Sequence, residues 1–481
     1  MKKLFFVFAF ALFSIGIATA QDCNCRKNLE WVKKTFEEND AGFEYALKNK
    51  GRAAYDAHNT KFFAKVDSVK SITECAQLLR DWLAFFRSGH VGIRINEQFI
   101  QKAAVTSKKQ DKPWEVVSFD KDKFVKYLDG LKEPGYEGVW QTGQYKIGIQ
   151  KSNGDYVGFV MESQTDAWRP GEMKLGISNN LGTIKTVYFM LDRSAVYSNT
   201  VELIGKNYLK VGDITLKRIY PIIQDDPKYA QYFRSLDATK PYVERLSDKT
   251  LYFRIPSFQS NKKREIDSVI KANRETILKT ENLIIDIKNG TGGSDGSYSE
   301  IIPLIYTNPI RGVGVEIYST PLNNQRMLDF INKPEYGFNE EGKKWAQNAY
   351  DKLSKRIGEF VMLNENVVSV TKFDTIYPFP KNVGIIINKN NGSTDEQFLL
   401  AAKQSKKVKL FGTTTFGVLD ISNMYYVDSP DGIFQLGYCL TRSMRIPDFT
   451  IDNKGIQPDF YIDKSIPQYE WIEFVKAQLE Y

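Results

Sequence analysis

Ser393 stands where an apolar run of the chain changes abruptly into an amphipathic one. Residues 383–387 are mostly β-branched and too few for a helix, whereas residues 398–402 bring apolar side chains at helical spacing. This pattern predicts a strand, a tight turn over residues 390–393 and then a helix. A serine at the N-terminus of a helix lies beside backbone N–H groups that can stabilise an oxyanion. Ser393 is therefore a candidate nucleophile.

The same residues also fit a purely structural role. Ser393 and Glu396 have the spacing of a capping box, in which the serine accepts from the Glu396 N–H and the glutamate reaches back to the serine N–H. Taken alone, this stretch favours the helix cap, so a catalytic role depends on what other residues provide.

A nucleophilic serine needs a base, and the chain contains two histidines, His58 and His90. His58 lies in a polar stretch, whereas His90 lies in a short Ser-Gly-His-Val-Gly turn that follows a predicted helix. A single histidine is more often structural than catalytic. The turn makes His90 the better candidate for a general base.

A glycine-rich turn follows the strand predicted at residues 283–287. Gly290, Gly292 and Gly293 permit positive φ and close approach of the backbone, so this turn can present N–H groups to an anion. It has neither the G-x-G-x-x-G spacing of a dinucleotide site nor the lysine of a P-loop. An ordinary strand-to-helix turn is the structural alternative.

The first 20 residues have the composition of a secretory signal peptide. Two lysines precede an apolar run over residues 4–12, and Ala-Thr-Ala at residues 18–20 forms a small-residue cleavage site. We expect the mature chain to begin at Gln21 and to be exported to the periplasm or beyond the cell. No later segment reaches about 18 apolar residues, so no membrane span is expected.

Composition and charge narrow the classes of function. The 481 residues, 42% of them hydrophobic, are enough for about two to four domains. Loss of the two leader lysines lowers the formal charge from +8 to +6, and without a basic block or stripe nucleic-acid binding is not expected. Neither a metal nor another cofactor is expected, because neither histidine lies at ligand spacing from a cysteine.

All four cysteines follow the leader and would meet an oxidising compartment. They are Cys23, Cys25, Cys75 and Cys439, and three pairings of them are possible. We expect Cys75 to hold the N-terminal segment through Cys23 or Cys25.

Changes of periodicity divide the chain after the leader into three parts. Residues 21–111 carry helical stripes and end in the turn around His90, which predicts a small helical domain. Residues 112–221 alternate aromatic and β-branched residues around an Asn-Gly hairpin signal, which predicts a β-rich module, a small barrel or sandwich. Residues 222–481 alternate strands and helices, which predicts an α/β core with a helical insertion at about residues 322–363.

Five segments occur in the order and rough spacing of a known enzyme family. They are RSGHVGIRI, LIIDIKNGTGGSDG, VGIIINKNNGSTDEQF, LFGTTTFG and NKGIQPDF. Together they resemble the serine peptidases related to the C-terminal processing peptidases and the tricorn core protease. The resemblance implies an α/β, multidomain fold whose core is a crotonase-like spiral of ββα units. It also implies hydrolysis of peptide bonds through an acyl-enzyme, with a peptide or unfolded protein as substrate.

The resemblance implies a nucleophile and an oxyanion hole. Ser393 resembles the family's nucleophile, three residues before a glutamate. The Thr394 N–H resembles one oxyanion donor, and a second N–H would come from Gly292 or Gly293.

The resemblance also bears on the base. The processing-peptidase branch uses a lysine just after its G-x-x-T-x-G segment, where this chain has Val418, so a serine/lysine dyad is not expected. The tricorn-like branch uses a histidine from the turn that His90 matches. Asp452 is the nearest match to the acid that steadies this histidine, and we consider Ser88 for a similar hydrogen-bonding role.

The chain departs from the family pattern in three respects. Lys288 stands where arginine is usual and Gly290 where asparagine is usual, Thr394 replaces the common alanine, and no PDZ domain is recognisable. A peptide- or ligand-binding protein that keeps the fold without catalysis would also show such changes, so it is the alternative to a peptidase. A carbohydrate-active protein has less support, since no pair of acids stands out.

Overall fold

A computed structural model of the chain describes residues 24–99, 114–180 and 182–481. The predicted leader, Cys23 and the predicted domain boundary at residue 111 lie outside the described residues. Helices and sheets alternate through the described parts, so the mixed α/β fold predicted from the sequence is confirmed. No helix in these parts combines the length and the apolar character needed to cross a membrane.

The first part of the described chain consists of a group of helices followed by a short strand. Apolar side chains of these helices form one buried cluster that also includes Phe434 and Tyr438 from near the C-terminus. A disulfide joins Cys25 to Cys75, which confirms one of the two expected pairings. The bounds are α1 Cys25–Asn39, α2 Phe43–Lys50, α3 Arg52–Lys65, α4 Ile72–Leu83 and β1 Gly92–Ile95.

One antiparallel sheet of nine strands follows, preceded by a helix. The bounds are α5 Lys121–Asp129, β2 Gly138–Thr142, β3 Tyr145–Ser152, β4 Asp155–Ser163, β5 Met173–Asn180, β6 Thr183–Phe189, β7 Ala195–Ser198, β8 Val201–Ile204, β9 Tyr208–Val211 and β10 Ile214–Tyr220. The strand order is β7-β6-β5-β4-β3-β2-β10-β9-β8. Because β7 and β8 are consecutive in the chain but lie at opposite edges, the sheet curls back on itself. The predicted hairpin turn is present, with positive φ at Asn153 and Gly154.

The remaining residues alternate between strands and helices. The bounds are α6 Pro227–Asp237, β11 Tyr242–Arg245, β12 Thr250–Arg254, α7 Lys263–Ile277, β13 Asn282–Asp286, α8 Ile302–Ile305, β14 Ile310–Val313, β15 Val315–Tyr318, α9 Pro321–Asn332, α10 Glu340–Ser354, β16 Phe360–Val361, β17 Val368–Thr371, β18 Asn382–Ile387, α11 Thr394–Ala402, β19 Val408–Gly412, β20 Ile421–Asp428, β21 Phe434–Ser443, β22 Phe460–Tyr461 and α12 Trp471–Glu480. Thus α9 and α10 occupy the predicted helical insertion.

Six of these strands form the central sheet, in the order β11-β12-β13-β18-β19-β22. From β12 to β22 the strands are parallel. The largely apolar strands β12, β13, β18 and β19 are buried on both faces, whereas the two residues of the edge strand β22 are exposed. In parallel neighbours the carboxyl ends lie at the same edge. The loops that follow β13 and β18 are therefore adjacent, and these two loops contain the glycine-rich turn and Ser393.

A second sheet connects the N-terminal helices to this core. The long strand β21 pairs with β20, with β15 and with β1, whose Gly92 lies opposite Gly437. The pairing of β1 brings the turn that precedes it, and hence His90, to the core. A separate two-stranded sheet is formed by β14 and β17.

One predicted element differs from the structure. The sequence predicts a helix over residues 297–305, whereas a 3-10 turn over Asp295–Tyr298 is followed by the short helix α8. Pro303 lies at the start of α8, where its missing N–H is tolerated. A proline inside one continuous helix would have removed a backbone hydrogen bond, which explains the interruption.

Candidate active site

Ser393 lies in the turn between β18 and α11 and is the N-cap of that helix. It is half-buried, and its φ of 60° and ψ of −121° are unfavourable for a residue with a side chain. An N-cap residue usually has extended dihedral angles. The turn thus holds Ser393 in a conformation that capping alone does not require.

Glu396 forms the predicted capping box and accepts further hydrogen bonds from another loop. Its carboxylate accepts the Ser393 N–H at 3.2 Å. The same carboxylate accepts from the N–H groups of Gly417 and Val418 at 2.8 and 2.9 Å, and from the Thr415 hydroxyl at 2.5 Å. Burial raises the pKa of Glu396, and these donors oppose that rise. Glu396 therefore joins the serine turn to the loop that follows β19.

The glycine-rich turn packs directly against the serine. Gly292 has φ of 79°, and a Cβ at this position would lie 2.7 Å from the Ser393 Cβ and 3.1 Å from the Thr394 nitrogen. Only glycine fits here. Neither the Gly293 N–H nor the Thr394 N–H has an acceptor among the described residues. Two unpaired backbone donors thus lie beside the serine side chain, which is the requirement for an oxyanion hole.

His90 lies in the turn between α4 and β1 with φ of 55°, and one nitrogen of its ring makes a hydrogen bond to the backbone of the core. Its Nδ1 is 2.7 Å from the Ile421 carbonyl oxygen, and because that oxygen can only accept, Nδ1 carries the proton. Nε2 is then the unprotonated nitrogen, with no partner within the described parts of the chain. Burial lowers the pKa of His90, although the Ile421 carbonyl and the charge of Asp452 oppose the shift. The ring can therefore serve as a neutral base.

Val418 connects the histidine turn to the serine turn. A Cβ on Gly89 would lie 2.7 Å from one Val418 methyl group, and a Cβ on Gly392 would lie 2.8 Å from the other. The Val418 carbonyl oxygen accepts the Ser393 N–H at 3.1 Å. The position where one branch of the family has a lysine thus holds a buried apolar side chain that packs between the residues next to His90 and Ser393.

Asp452 lies close to His90 but does not contact its ring. Its carboxylate accepts the N–H groups of Leu419, Asp420 and Ile421 at 2.5, 2.7 and 3.3 Å. Burial raises the pKa of Asp452. Asp452 therefore fixes the backbone segment whose Ile421 carbonyl oxygen accepts the hydrogen bond from His90 Nδ1. It acts on the histidine indirectly through this segment, and also through its own negative charge.

Ser88 is exposed, and its hydroxyl makes no hydrogen bond to another described residue. It lines a cavity of about 460 Å³ on the outer side of the histidine turn, together with His90, Arg80, Arg94 and Tyr426. The structure thus places Ser88 beside His90 without joining the two side chains.

A buried ion pair that the sequence did not indicate supports the histidine turn. The Arg87 guanidinium donates to both carboxylate oxygens of Asp40, at 2.7 and 2.5 Å, and to the His90 carbonyl oxygen at 2.8 Å. Asp40 also accepts the Cys439 N–H at 3.0 Å. The position of Arg87 next to the histidine turn was a usable signal, but nothing in the sequence distinguishes Asp40 from other acids.

Lys288 and Gly290, which differ from the residues usual in the family, each contact a different aspartate. Lys288 is buried, its ammonium group lies 3.7 Å from Asp286, and burial lowers its pKa. Gly290 lies against Asp395, whose carboxylate oxygen would be 2.5 Å from a Cβ at Gly290. An asparagine could not fit at position 290 beside this aspartate. The glycine at position 290, where asparagine is usual in the family, therefore fits the position of Asp395.

A second cavity, of about 770 Å³, begins beside the serine turn. Asp295, which precedes α8, and Gln397, one helical turn after Ser393, lie on its wall. The rest of the wall combines apolar and charged side chains. The larger apolar residues are Tyr298, Ile302, Ile310, Phe373, Leu400 and Phe449, and the charged residues are Glu300, Arg311, Lys403 and Arg445. In the described parts of the chain no three His, Cys, Asp or Glu side chains come together as metal ligands.

The comparisons with known proteins agree with this geometry. Residues 249–462 match the sequence profile described as peptidase family S41. Three similar solved structures each align with 95% of this chain, and all three are of CPAF. The structure of a mutant has a TM-score of 0.53 and 12% sequence identity, with 96% of its own length covered. The mature protein has a TM-score of 0.50, 13% identity and 96% coverage, and its complex with lactacystin has a TM-score of 0.50, 14% identity and 97% coverage. No curated protein sequence matches the chain.

At these identities the structural likeness shows the shared fold alone. The S41 match contains Ser393, Thr394, Gly292, Gly293 and Asp452, whereas His90 precedes it. Peptidases act on peptides or proteins, so the substrate is of that class. Residues 249–462 are similar to peptidase family S41, and the chain is a serine-type peptidase.

Proposed function

We propose that the protein is an exported serine peptidase that cleaves peptide bonds through an acyl-enzyme on Ser393, with His90 as its general base. The observation that carries this proposal is the packing of Gly89 and Gly392 on the same residue, Val418. Each glycine is the immediate neighbour of a proposed catalytic residue. The Nδ1 hydrogen bond of His90 leaves Nε2 as the nitrogen available to accept a proton.

In the proposed reaction His90 Nε2 accepts the proton of Ser393 Oγ as this oxygen attacks the peptide carbonyl carbon. The Thr394 and Gly293 N–H groups hold the tetrahedral oxyanion, and loss of one such donor would slow the reaction roughly 10²- to 10³-fold. His90 then protonates the leaving amine, and water hydrolyses the acyl-enzyme by the same steps. Asp452 favours the imidazolium through its charge.

The aromatic and aliphatic side chains in the cavity beside the serine turn support a preference for substrates with a large apolar side chain near the cleaved bond. Its wall begins at Asp295 and Gln397, which flank the start of α11, and continues over aromatic and aliphatic side chains. Burying such a side chain contributes about 1.5–3 kcal/mol. This binding energy favours a large apolar residue over a small one at that position.

Export is supported by two independent features. The first 20 residues have the organisation of a signal peptide, and the Cys25–Cys75 disulfide requires an oxidising environment to persist. We therefore place the mature chain, from Gln21, in the periplasm or outside the cell.

The test compares the mature protein with its Ser393→Ala and His90→Ala variants. Each is exposed to a fluorophosphonate label, which reacts with activated serines, and to a mixed peptide library with mass-spectrometric detection. We expect the wild type to be labelled and to cleave next to apolar residues, and both variants to do neither. His58→Ala is the matched control, since His58 packs on Phe62 and Phe85 in the helical segment.

The alternative, a binding protein that keeps the fold without catalysis, predicts a different result. In that case the wild type and all variants stay unlabelled while thermal unfolding shows that each is folded. Cleavage that persists in Ser393→Ala would instead point to a different nucleophile or to a contaminating protease.

A further inference from the structure

Asp395 is a buried carboxyl group that the proposed reaction does not use. Its side chain follows Ser393 by two residues and is 1% exposed. One carboxylate oxygen accepts from Asn391 Nδ2 at 2.9 Å, and the nearby backbone N–H groups of Gly292 and Gly392 favour the charged form of the carboxyl group. The other oxygen, Oδ1, has no hydrogen-bond partner in the described parts of the chain.

This carboxyl group lies directly behind the glycine-rich turn. Its oxygens would be 2.5 and 3.0 Å from a Cβ on Gly290, so it touches the backbone of that turn. Asn391 reinforces the contact, because its Nδ2 also donates to the Ile287 carbonyl oxygen at 2.6 Å. Asp395 and Asn391 together link the start of α11 to the loop that presents the Gly293 N–H.

We propose that Asp395 is a positioning residue for the oxyanion hole, which it sets through Gly292, and that its uncharged form supports catalysis whereas its ionised form hinders it. This inference rests on the proposed function of Ser393. The Asp395 carboxyl group packs on Gly290 and interacts with the Gly292 N–H, and the next peptide group in the chain carries the Gly293 N–H. A single peptide group thus separates the carboxyl from the donor that meets the oxyanion.

The charge of Asp395 matters because a second negative charge develops nearby during the reaction. An ionised carboxylate behind Gly292 repels the oxyanion in a site of low dielectric constant. It also attracts the Gly292 N–H more strongly and so alters the direction of the following peptide group. The neutral acid has neither effect, while its oxygens still accept from Asn391.

The surroundings place this ionisation in the neutral pH range. Burial raises the pKa of Asp395 to about 7, and the neighbouring Glu396 charge contributes to the rise. The other charged side chains on the adjacent loops do not offset it. Lys288 lies beside Asp286, Lys389 is exposed, and Asp295 interacts with Thr394.

The expected consequence is a bell-shaped dependence of kcat/KM on pH. On the acid side activity falls as His90 becomes protonated, at a pH below 6.5 because burial lowers its pKa. On the alkaline side activity falls above about pH 7 as Asp395 ionises. Below about pH 7 Asp395 is mostly neutral, so the Asp395→Asn variant should differ little there.

The experiment measures kcat/KM and the rate of fluorophosphonate labelling between about pH 5 and pH 9 for the wild type, Asp395→Asn and Asp395→Ala. We expect the wild type to lose roughly tenfold or more in both rates between pH 7 and pH 9. Asp395→Asn keeps the amide oxygen and nearly the same shape, so it should lose the alkaline limb and keep the acid one. Asp267→Asn is the control, since Asp267 also has a buried oxygen without a partner but lies on α7, where it pairs with Lys263.

A readout independent of activity comes from stability. A carboxyl whose pKa is raised in the folded state stabilises the protein fully below about pH 4, and this contribution is lost as the pH rises through about 7. The unfolding temperature of the wild type should therefore fall over this interval relative to that of Asp395→Asn.

The outcomes separate this inference from the proposed function. An alkaline limb that is equally steep in wild type and Asp395→Asn, or a wild type with no loss up to pH 9, overturns the role of Asp395 alone. If Asp395→Asn does not fold, Asp395→Ala and the wild-type profile give the same decision. A wild type that is unreactive at every pH overturns both proposals.

Discussion

The two proposed catalytic residues both have strained backbone conformations. His90 and Ser393 have φ of 55° and 60°, a region that costs a non-glycine residue about 1–2 kcal/mol. Such strain persists only where the surroundings compensate for it. Arg87 holds the His90 carbonyl, and Glu396 holds the Ser393 N–H. Buried charged groups thus stabilise each strained residue at its backbone and leave its side chain free to react.

The Arg87–Asp40 pair gives a test of this arrangement. Asp40→Asn leaves the buried Arg87 without its counter-charge, so we expect a loss of about 3–5 kcal/mol in the free energy of unfolding. Labelling of Ser393 should also slow, because Arg87 then no longer holds the His90 turn. Denaturant titration measures the first effect, and fluorophosphonate kinetics well below the unfolding midpoint measure the second.

The Arg26–Asp67 pair supplies the control for that variant. Both of its side chains are exposed, so solvent screens their attraction and Asp67→Asn should leave stability and labelling nearly unchanged. Equal losses in the two variants would show that burial of the Arg87–Asp40 pair has no special role.

The roles of some residues can be predicted from the sequence, and those of others cannot. Ser393, His90 and Gly292 could be proposed from the sequence because turn chemistry and motif spacing constrain them locally. Asp40 and Asp395 could not, since their roles depend on burial against residues distant in the chain. Asp452 was found as an acid near the histidine, but its contact with backbone N–H groups needed the structure.

At the level of elements, the two loops at the carboxyl ends of β13 and β18 form the proposed oxyanion hole. Gly292→Ala would place a Cβ 2.7 Å from the Ser393 Cβ. We expect loss of labelling and of peptide cleavage, because the serine must move away from the turn. The left-handed conformation at this position, with φ of 79°, adds about 1–2 kcal/mol of destabilisation.

Gly154→Ala is the matched control for this variant. Gly154 has φ of 92° in the β3–β4 hairpin, and a Cβ there would meet no atom within 4 Å. It should therefore show similar backbone destabilisation in thermal unfolding with normal labelling. If Gly292→Ala remains as active as Gly154→Ala, the glycine turn is not part of the reaction centre.

Elements with strong local signals were predictable, and others were not. Hydrophobic periodicity located β13, β18 and α11, and Asn153-Gly154 located a hairpin. The interrupted helix at residues 297–305 was missed because a proline at the start of a helix and a proline inside one look alike in sequence. The pairing of β1 with β21 joins strands more than 330 residues apart, which no local pattern indicates.

At the scale of the whole molecule, the proposed base and nucleophile come from distant parts of the chain. The helices before His90 share one apolar cluster with β20 and β21, and β1 extends the sheet that contains β21. The site is therefore complete only when the N-terminal helices are docked. Docking also depends on their own stability, to which the Cys25–Cys75 disulfide contributes by joining α1 to α4.

Loss of this disulfide should lower stability while leaving the chemistry intact at low temperature. Cys25 and Cys75 are 50 residues apart, and a cross-link of this span contributes about 2–4 kcal/mol by restricting the unfolded chain. In a Cys25→Ser/Cys75→Ser variant β1 still pairs with β21, and Arg87 still donates to the His90 carbonyl oxygen. Labelling of Ser393 should therefore be normal well below the melting point. It should disappear at a lower temperature than in the wild type. Reduction of the wild type should reproduce this behaviour and leave the variant unchanged. An unchanged unfolding midpoint in both cases would show that docking onto β20 and β21 alone holds the helices that carry His90.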